Sequence, residues 1–313
     1  MPHITFVHGI ANKPPQDELL SQWQTALLVA DGLDLDDLGV TSSMVYWADL
    51  LHGSPTDAGP GHESNQLDLQ KSIDAGDADL AWLYDAPPAE RELVEGLAHS
   101  LGIADLSDDT EGDTDPVMSE TPLEAVPLPG FLKKPLMRLL LRDVHHFLFD
   151  AEFSPRPGET YHIRRKIRGR MLDALAAGAE RPGPHVLLGH SLGSVIAYDA
   201  LTSIDGAPRV NALITVGSPL GISEVQEGLT PPWTRHDGWP SARLGSGGWA
   251  NFYDPLDPVC GGLERLLAPT FRQAGAKHVA DVHVTNSGSW RHSIDKYLGQ
   301  GALRDWLANA VSA

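Results

Sequence analysis

Unbroken apolar runs alternate with segments whose apolar positions recur every three or four residues, and that alternation lays out most of the chain. Ile4 to Val7 is a short apolar run of strand character, and Asp17 to Leu28 follows with Leu19, Leu20, Trp23 and Leu27 on one helical face. Val40 to Ala48 is strand-like again, so the chain opens as strand, loop, helix and strand, the start of a parallel α/β sheet. The pattern then lapses for about a hundred residues, with helical spacing over 65–84 and 89–101. Between Arg91 and Lys133 there is no basic residue but there are ten acidic ones and several prolines, which predicts a mobile linker over about 105–129. Phe131 to Phe149 is predicted helical, with Lys134, Arg138 and Arg142 on one face and Leu136, Leu140, Val144 and Phe147 on another. Such a basic amphipathic helix suits a bilayer surface or the mouth of an acyl site; the plainer reading is a cap helix with its basic face in water.

Regularity returns with a basic helix over 161–177, strands over 186–188, 210–216, 249–253 and 279–285, and a closing helix from His292 to Val311. Residues 220–247 hold many Gly, Pro and Trp and read as an irregular loop.

The centre of the chain is GHSLGS, Gly189 to Ser194, entered by Val186-Leu187-Leu188 and left by an apolar helix carrying Val195, Ile196, Tyr198 and Leu201. A serine flanked at two residues on either side by glycine, between strand and helix, is the pattern of a nucleophile elbow. The turn is so tight that only small residues at those positions let strand and helix pass, and the serine hydroxyl is lifted clear beside the first amides of the helix.

A serine needs a base, and in this arrangement the partners follow in the order serine, acid, histidine, each past the end of a later strand. The histidines after Ser191 are His236, His278, His283 and His292; His292 alone sits just past the carboxyl end of the last strand and is the candidate general base. The acid is Asp254 or Asp257, both beyond the strand 249–253; Asp257, further out and followed by Pro258, is favoured, leaving Asp254 to cap the Asp-Pro turn. The oxyanion needs two amide donors: Leu192, after the nucleophile, and Ile10, in the loop after the first strand. His8, next to this loop in sequence, is given no catalytic role, and a structural one bonding the loop is open to it.

Composition narrows the partners. The formal net charge of −19 repels phosphate, so nucleic acid is not an expected partner. Cys260 is the single cysteine, which excludes an internal disulfide framework and a thiolate metal cluster, and neither a metal nor a cofactor is expected. A strand beginning near Ile4 leaves no room for a secretion signal, and no apolar run reaches the length of a membrane span; the expectation is a soluble, cytoplasmic chain.

These residues resemble the α/β-hydrolases of the lipase and esterase branch, and in particular the intracellular phospholipases that carry a DDHD domain. GHSLGSVIAYD, the GSP at Gly217 to Pro219, NFYDPLDPV at Asn251 to Val259 and the His292-Ser293 pair carry the resemblance. It implies an α/β fold with a mostly parallel central sheet and helices on both faces. The lapse in the strand pattern sets the core at 1–50 and 155–313 and makes 51–154 a helical insertion, a cap or lid, with Phe131–Phe149 as the segment for transient membrane contact. The resemblance further implies Ser191 as nucleophile, Asp257 as acid and His292 as base, with ester or phospholipid substrates; the expected reaction is cleavage of lipid or acyl esters through an acyl-enzyme. The same three residues would serve a thioesterase, amidase or acyltransferase, and the fold also occurs in non-catalytic binding proteins.

Overall fold

The computed structural model describes residues 1–30, 32–56, 80–103, 130–230, 238–262, 265–273, 277–288 and 290–312. Along the chain these form β1 (His3–Val7), α1 (Gln16–Leu28), β2 (Thr41–Val45), α2 (Ala81–Asp85), α3 (Pro88–Ser100) and α4 (Gly130–Leu148). A hairpin follows, β3 (Glu152–Arg156) and β4 (Glu159–His162), then α5 (Ile163–Ala179), β5 (His185–His190), α6 (Leu192–Ser203), β6 (Val210–Val216) and α7 (Ser223–Glu227). The chain closes with β7 (Leu244–Tyr253), the short pair β8 (Arg272–Gln273) and β9 (Lys277–His278), β10 (Ala280–His283), α8 (Ile294–Leu298) and α9 (Gly301–Ser312).

The central sheet has six strands in the order β10-β7-β6-β5-β1-β2, and every neighbouring pair is parallel. Parallel strands require crossovers that cover both faces, so the strands must be apolar on both sides. On one face Ile4, Phe6, Val186 and Leu188 meet Trp23 and Leu27 of α1, Tyr297 of α8 and Leu303 of α9. On the other, Val7, Leu187, Leu213 and Trp249 meet Met171 and Leu175 of α5, Val195 and Ile196 of α6 and Leu140 and Phe147 of α4. The chain steps outward from β1 to β2 on one side and from β5 onward on the other. The carboxyl ends of β1 and β5 therefore flank a topological switch point, where open α/β sheets form their crevices.

Residues 65–79 of the first expected helix and the linker 105–129 lie outside the described residues; within the described part of that helix, Ala81–Asp85 is α2. Three expectations change in the structure. The basic helix begins at Ile163, because Tyr161 and His162 pair back onto Phe153 and Glu152 in the hairpin. β7 begins at Leu244 within the expected loop: Gly245 and Gly247 lie against Asn211 where the register shifts, and Gly248, paired with Ala212, takes φ +77°. The closing helix is two helices, broken between Gly299 and Gly301, with His292 in the turn before them.

The largest correction concerns α4. From Leu136 to Leu148 only Arg138 is more than slightly exposed, and Arg142, expected in water, is 3% exposed. Leu136, Leu140, Val144 and Phe147 share one hydrophobic cluster with Leu192, Val195 and Leu220, joined by Val94 and Leu97 of α3. The described part of the inserted region thus shares the core of the sheet's α6 face. Among the described residues no helix is long and apolar enough to cross a membrane.

Candidate functional site

Ser191 follows directly on β5 with φ 53° and ψ −129°, a backbone conformation that costs an L-residue on the order of 1–3 kcal/mol. The surroundings hold it there. Its N–H donates to Val216 O at 2.9 Å, and Ser194 Oγ donates to Ser191 O at 2.5 Å. The two flanking glycines are sterically required: a Cβ on Gly189 would lie 2.5 Å from Gly193 O, and one on Gly193 would lie 2.2 Å from Val7 O. The reading of the elbow from glycine spacing thus has its physical cause in strand and helix crossing without room for a methyl group.

The loop after β1 closes over the serine. A Cβ on Gly9 would stand 2.8 Å from Ser191 Cβ, so loop and nucleophile touch. The backbone N–H groups of Ile10 and Leu192 donate to no acceptor among the described residues. His8 is fully committed elsewhere: its Nδ1–H donates to Gly9 O at 2.8 Å, and its Nε2 accepts from Trp47 N at 2.9 Å. The stacked Trp47 ring, 4.7 Å away, donates in turn to His8 O at 2.9 Å. His8 thus bonds the loop to Trp47, the structural alternative left open for it.

His292 and Asp257 come together at the same end of the sheet. The ring Nδ1 of His292 lies 2.9 Å from Asp257 Oδ2 and 3.0 Å from Oδ1, and both side chains are buried. A carboxylate only accepts, so Nδ1 carries a proton, and in the neutral ring the lone pair is then on Nε2, the tautomer of a general base. Nε2 of His292 and Oγ of Ser191 are both buried, and neither has a hydrogen-bond partner among the described residues. Both lie beyond the carboxyl ends of strands of the same sheet, and no hydrogen bond joins them. Gly217, φ +55°, follows the Val216 carbonyl that holds Ser191, and a Cβ on it would stand 3.1 Å from His292 Cε1 and 3.3 Å from Asp257 Oδ2.

Burial would push the Asp257 carboxyl up, but the facing His292, the Tyr297 hydroxyl at 2.7 Å and the Val259 amide at 2.8 Å hold it below the ordinary carboxylate range. Burial first, and then the same carboxylate, pushes the Tyr297 hydroxyl and the Cys260 thiol well up, so both stay protonated. Asp254 is occupied differently. It receives Leu256 N at 2.8 Å, capping the Asp-Pro turn as expected, together with Asn286 N at 2.7 Å and Arg291 Nη1 at 3.1 Å.

Sequence reasoning missed two supporting residues. Tyr297 clamps the acid, and its signal was a tyrosine on the apolar face of α8, whose hydroxyl must find a partner once buried. His190 donates from Nε2 to His292 O at 2.8 Å, with the two rings 4.8 Å apart. Its place beside the serine was visible in the motif; its contact to a residue 102 positions away was not. Among the described residues no group of three or more His, Cys, Asp or Glu side chains is placed to hold a metal ion.

No family model matches the chain, and no curated protein matches it. One similar solved structure is an uncharacterized protein from Pseudomonas aeruginosa, 11% identical, aligned over 99% of this chain and 45% of that one with a TM-score of 0.33. This chain therefore spans less than half the length of that protein, and a likeness so weak assigns neither family nor activity.

Proposed function

We propose that this protein is a serine hydrolase of the α/β-hydrolase type that cleaves carboxylic esters, lipid or acyl esters foremost, through an acyl-enzyme. The observation that carries the reading is the Asp257–His292 pair, its Nε2 lone pair unengaged among the described residues, at the strand ends that present a strained Ser191. Strand order supports it as well: the serine follows β5, the acid β7 and the histidine β10, the chain order of that architecture.

In this reading Ser191 Oγ attacks the ester carbonyl while His292 Nε2 takes its proton. The imidazolium is stabilised by Asp257, which stays ionised because its proton affinity is held down by three donors. The negative charge on the former carbonyl oxygen is met by the N–H groups of Ile10 and Leu192, donors already in place and not paired with acceptors among the described residues. His292 then passes its proton to the leaving alcohol, and a water activated by the same nitrogen releases the acid.

The test is labelling by a fluorophosphonate probe, wild type against Ser191→Ala, beside turnover of p-nitrophenyl esters of increasing acyl length. Labelling and turnover are expected in the wild type and lost together in the variant. Equal labelling of both would dismiss the elbow as the reactive centre, and a sharp preference for acetate would contradict a lipid or long-acyl substrate.

A further inference from the structure

An amide contributes to an oxyanion hole only if its direction is set before the charge develops. The loop from His8 to Lys13 is tied at both ends: His8 is locked to Trp47, while Asn12 Nδ2 donates to Ser54 O at 2.8 Å and Thr56 N donates to Lys13 O at 3.0 Å. Between these ties stands Ala11, at φ +69°, in the left-handed region that side chains other than glycine seldom adopt. What faces its N–H is a carboxylate from the inserted region: Ala11 N donates to Asp143 Oδ2 at 3.0 Å, across 132 residues of chain. Asp143 is fully buried, and Arg142, also buried, grips its other oxygen through Nε at 3.1 Å and Nη2 at 2.9 Å.

We propose that Asp143 is a positioning residue for the hydrolysis, one that fixes the peptide planes around Ile10 so that the Ile10 N–H stays aimed at the developing oxyanion. This deepens the serine-hydrolase reading and rests on it. Two neighbouring N–H groups are thereby divided between tasks: Ala11 is spent on α4, and Ile10 is kept for substrate. The guanidinium of Arg142 has a reason to be there too. A lone carboxylate so close to the hole would repel the negative charge the hole must stabilise, and a two-point guanidinium contact offsets most of that repulsion. On this account α4 is part of the machinery rather than a cover laid over it, which fits its burial on all sides from Leu139 to Leu148.

The experiment compares full-length wild type, Asp143→Ala and Asp143→Asn. It measures kcat and KM on a p-nitrophenyl ester, and the Ala11 amide proton by NMR after 15N-alanine labelling. Asp143→Ala is expected to lower kcat roughly 10- to 100-fold with KM within about threefold, since a misaimed donor is felt in the transition state and not in substrate binding. The Ala11 amide proton should move upfield as it loses a charged acceptor. Asp143→Asn, which keeps an acceptor oxygen, should fall between. A folded Asp143→Ala with wild-type kcat, or one whose whole loss lies in KM, overturns the proposal. Should the alanine variant fail to fold, the asparagine variant decides: a lowered kcat at constant KM with a displaced Ala11 amide supports the clamp, and wild-type values of either overturn it. Fluorophosphonate labelling of the wild type is read first, so failure of the hydrolase reading itself is told apart from failure of Asp143.

Discussion

Histidine pairs are buried at both ends of the central sheet, and of these two pairs only the one at the carboxyl end faces a carboxylate among the described residues. At the amino ends of the strands, His3 of β1 lies opposite His185 of β5 with rings 5.4 Å apart. His3 is held by Thr41 Oγ1 at 2.8 Å and Ser43 Oγ at 2.9 Å, and His185 by Thr5 Oγ1 at 2.9 Å. At the carboxyl ends, His190 and His292 lie 4.8 Å apart in the same manner. The difference is the company. Hydroxyls bind the neutral rings at the amino end, and burial pushes both pKa values down to about 4, aided by Arg181 for His3 and by His3 for His185. At the carboxyl end a carboxylate faces His292, so the charged ring that proton transfer would create has a counter-charge waiting. An open ring nitrogen alone does not make the distinction: His185 Nδ1 is also buried without a hydrogen-bond partner among the described residues, but it faces Gly178. A catalytic histidine needs the counter-charge on one side and a strained hydroxyl close to the other.

The contrast breaks most sharply by deleting one histidine from each end. His292→Ala is expected to cost ester turnover on the order of 10⁴-fold or more while the protein stays folded. His185→Ala should leave turnover per folded molecule unchanged and cost about 1–3 kcal/mol in urea unfolding, by stranding the Thr5 hydroxyl and opening a cavity. Equal loss of turnover in both would end the distinction between the two ends of the sheet.

Next in size is the pair of carboxylates on one loop. Asp257→Asn should lower kcat by roughly 10³- to 10⁴-fold, because an amide in place of the carboxylate favours the wrong tautomer and gives an imidazolium no charge. Asp254→Ala should act on stability, by about 3–5 kcal/mol, because it leaves the Arg291 guanidinium buried and uncompensated. Calorimetry of both variants beside their kinetics separates the roles, and an Asp254 variant that keeps its stability while losing turnover would exchange them.

The smallest effect is in pH. His3 and His185 are neutral when folded, with pKa values about 4 against an ordinary 6.5, so below pH 6.5 the unfolded chain binds more protons than the folded one. Their contribution is therefore complete above about pH 6.5 and is lost as pH falls toward 4. His52 and His146, also pushed down to about 4 chiefly by burial, act in the same direction. Urea midpoints taken across that window should fall with pH, and less steeply in a His3→Gln, His185→Gln double variant. An unchanged slope would mean that these rings carry no proton linkage.

Much of this was legible because it is local. Gly189 and Gly193 announce an elbow because the crossing they permit involves only the five residues around Ser191 and the strand beside it. Asp257 could be preferred to Asp254 from its place on a short loop, since a loop's reach follows from its length. Other features carried no local mark. The glycines at the start of β7 look like a loop until Asn211 is seen to need them for a close approach, and the charges of α4 look like a wet face until Asp143 is found beneath Ala11. Arg142 reads as solvated in sequence because arginine seldom goes inside; here an adjacent carboxylate with a second task takes it there.

What the amino-acid order determined by itself was the place of the six central strands, the sharp turn at Ser191 and the chain order of Ser191, Asp257 and His292, because apolar periodicity and steric room at a turn are properties of neighbouring residues. What only tertiary structure decided was which further polar groups end up facing one another: Tyr297 beneath Asp257, Asp143 against Ala11. Those pairings join residues 40 and 132 positions apart, and they form because a buried donor or charge must find its partner wherever the packed chain places one.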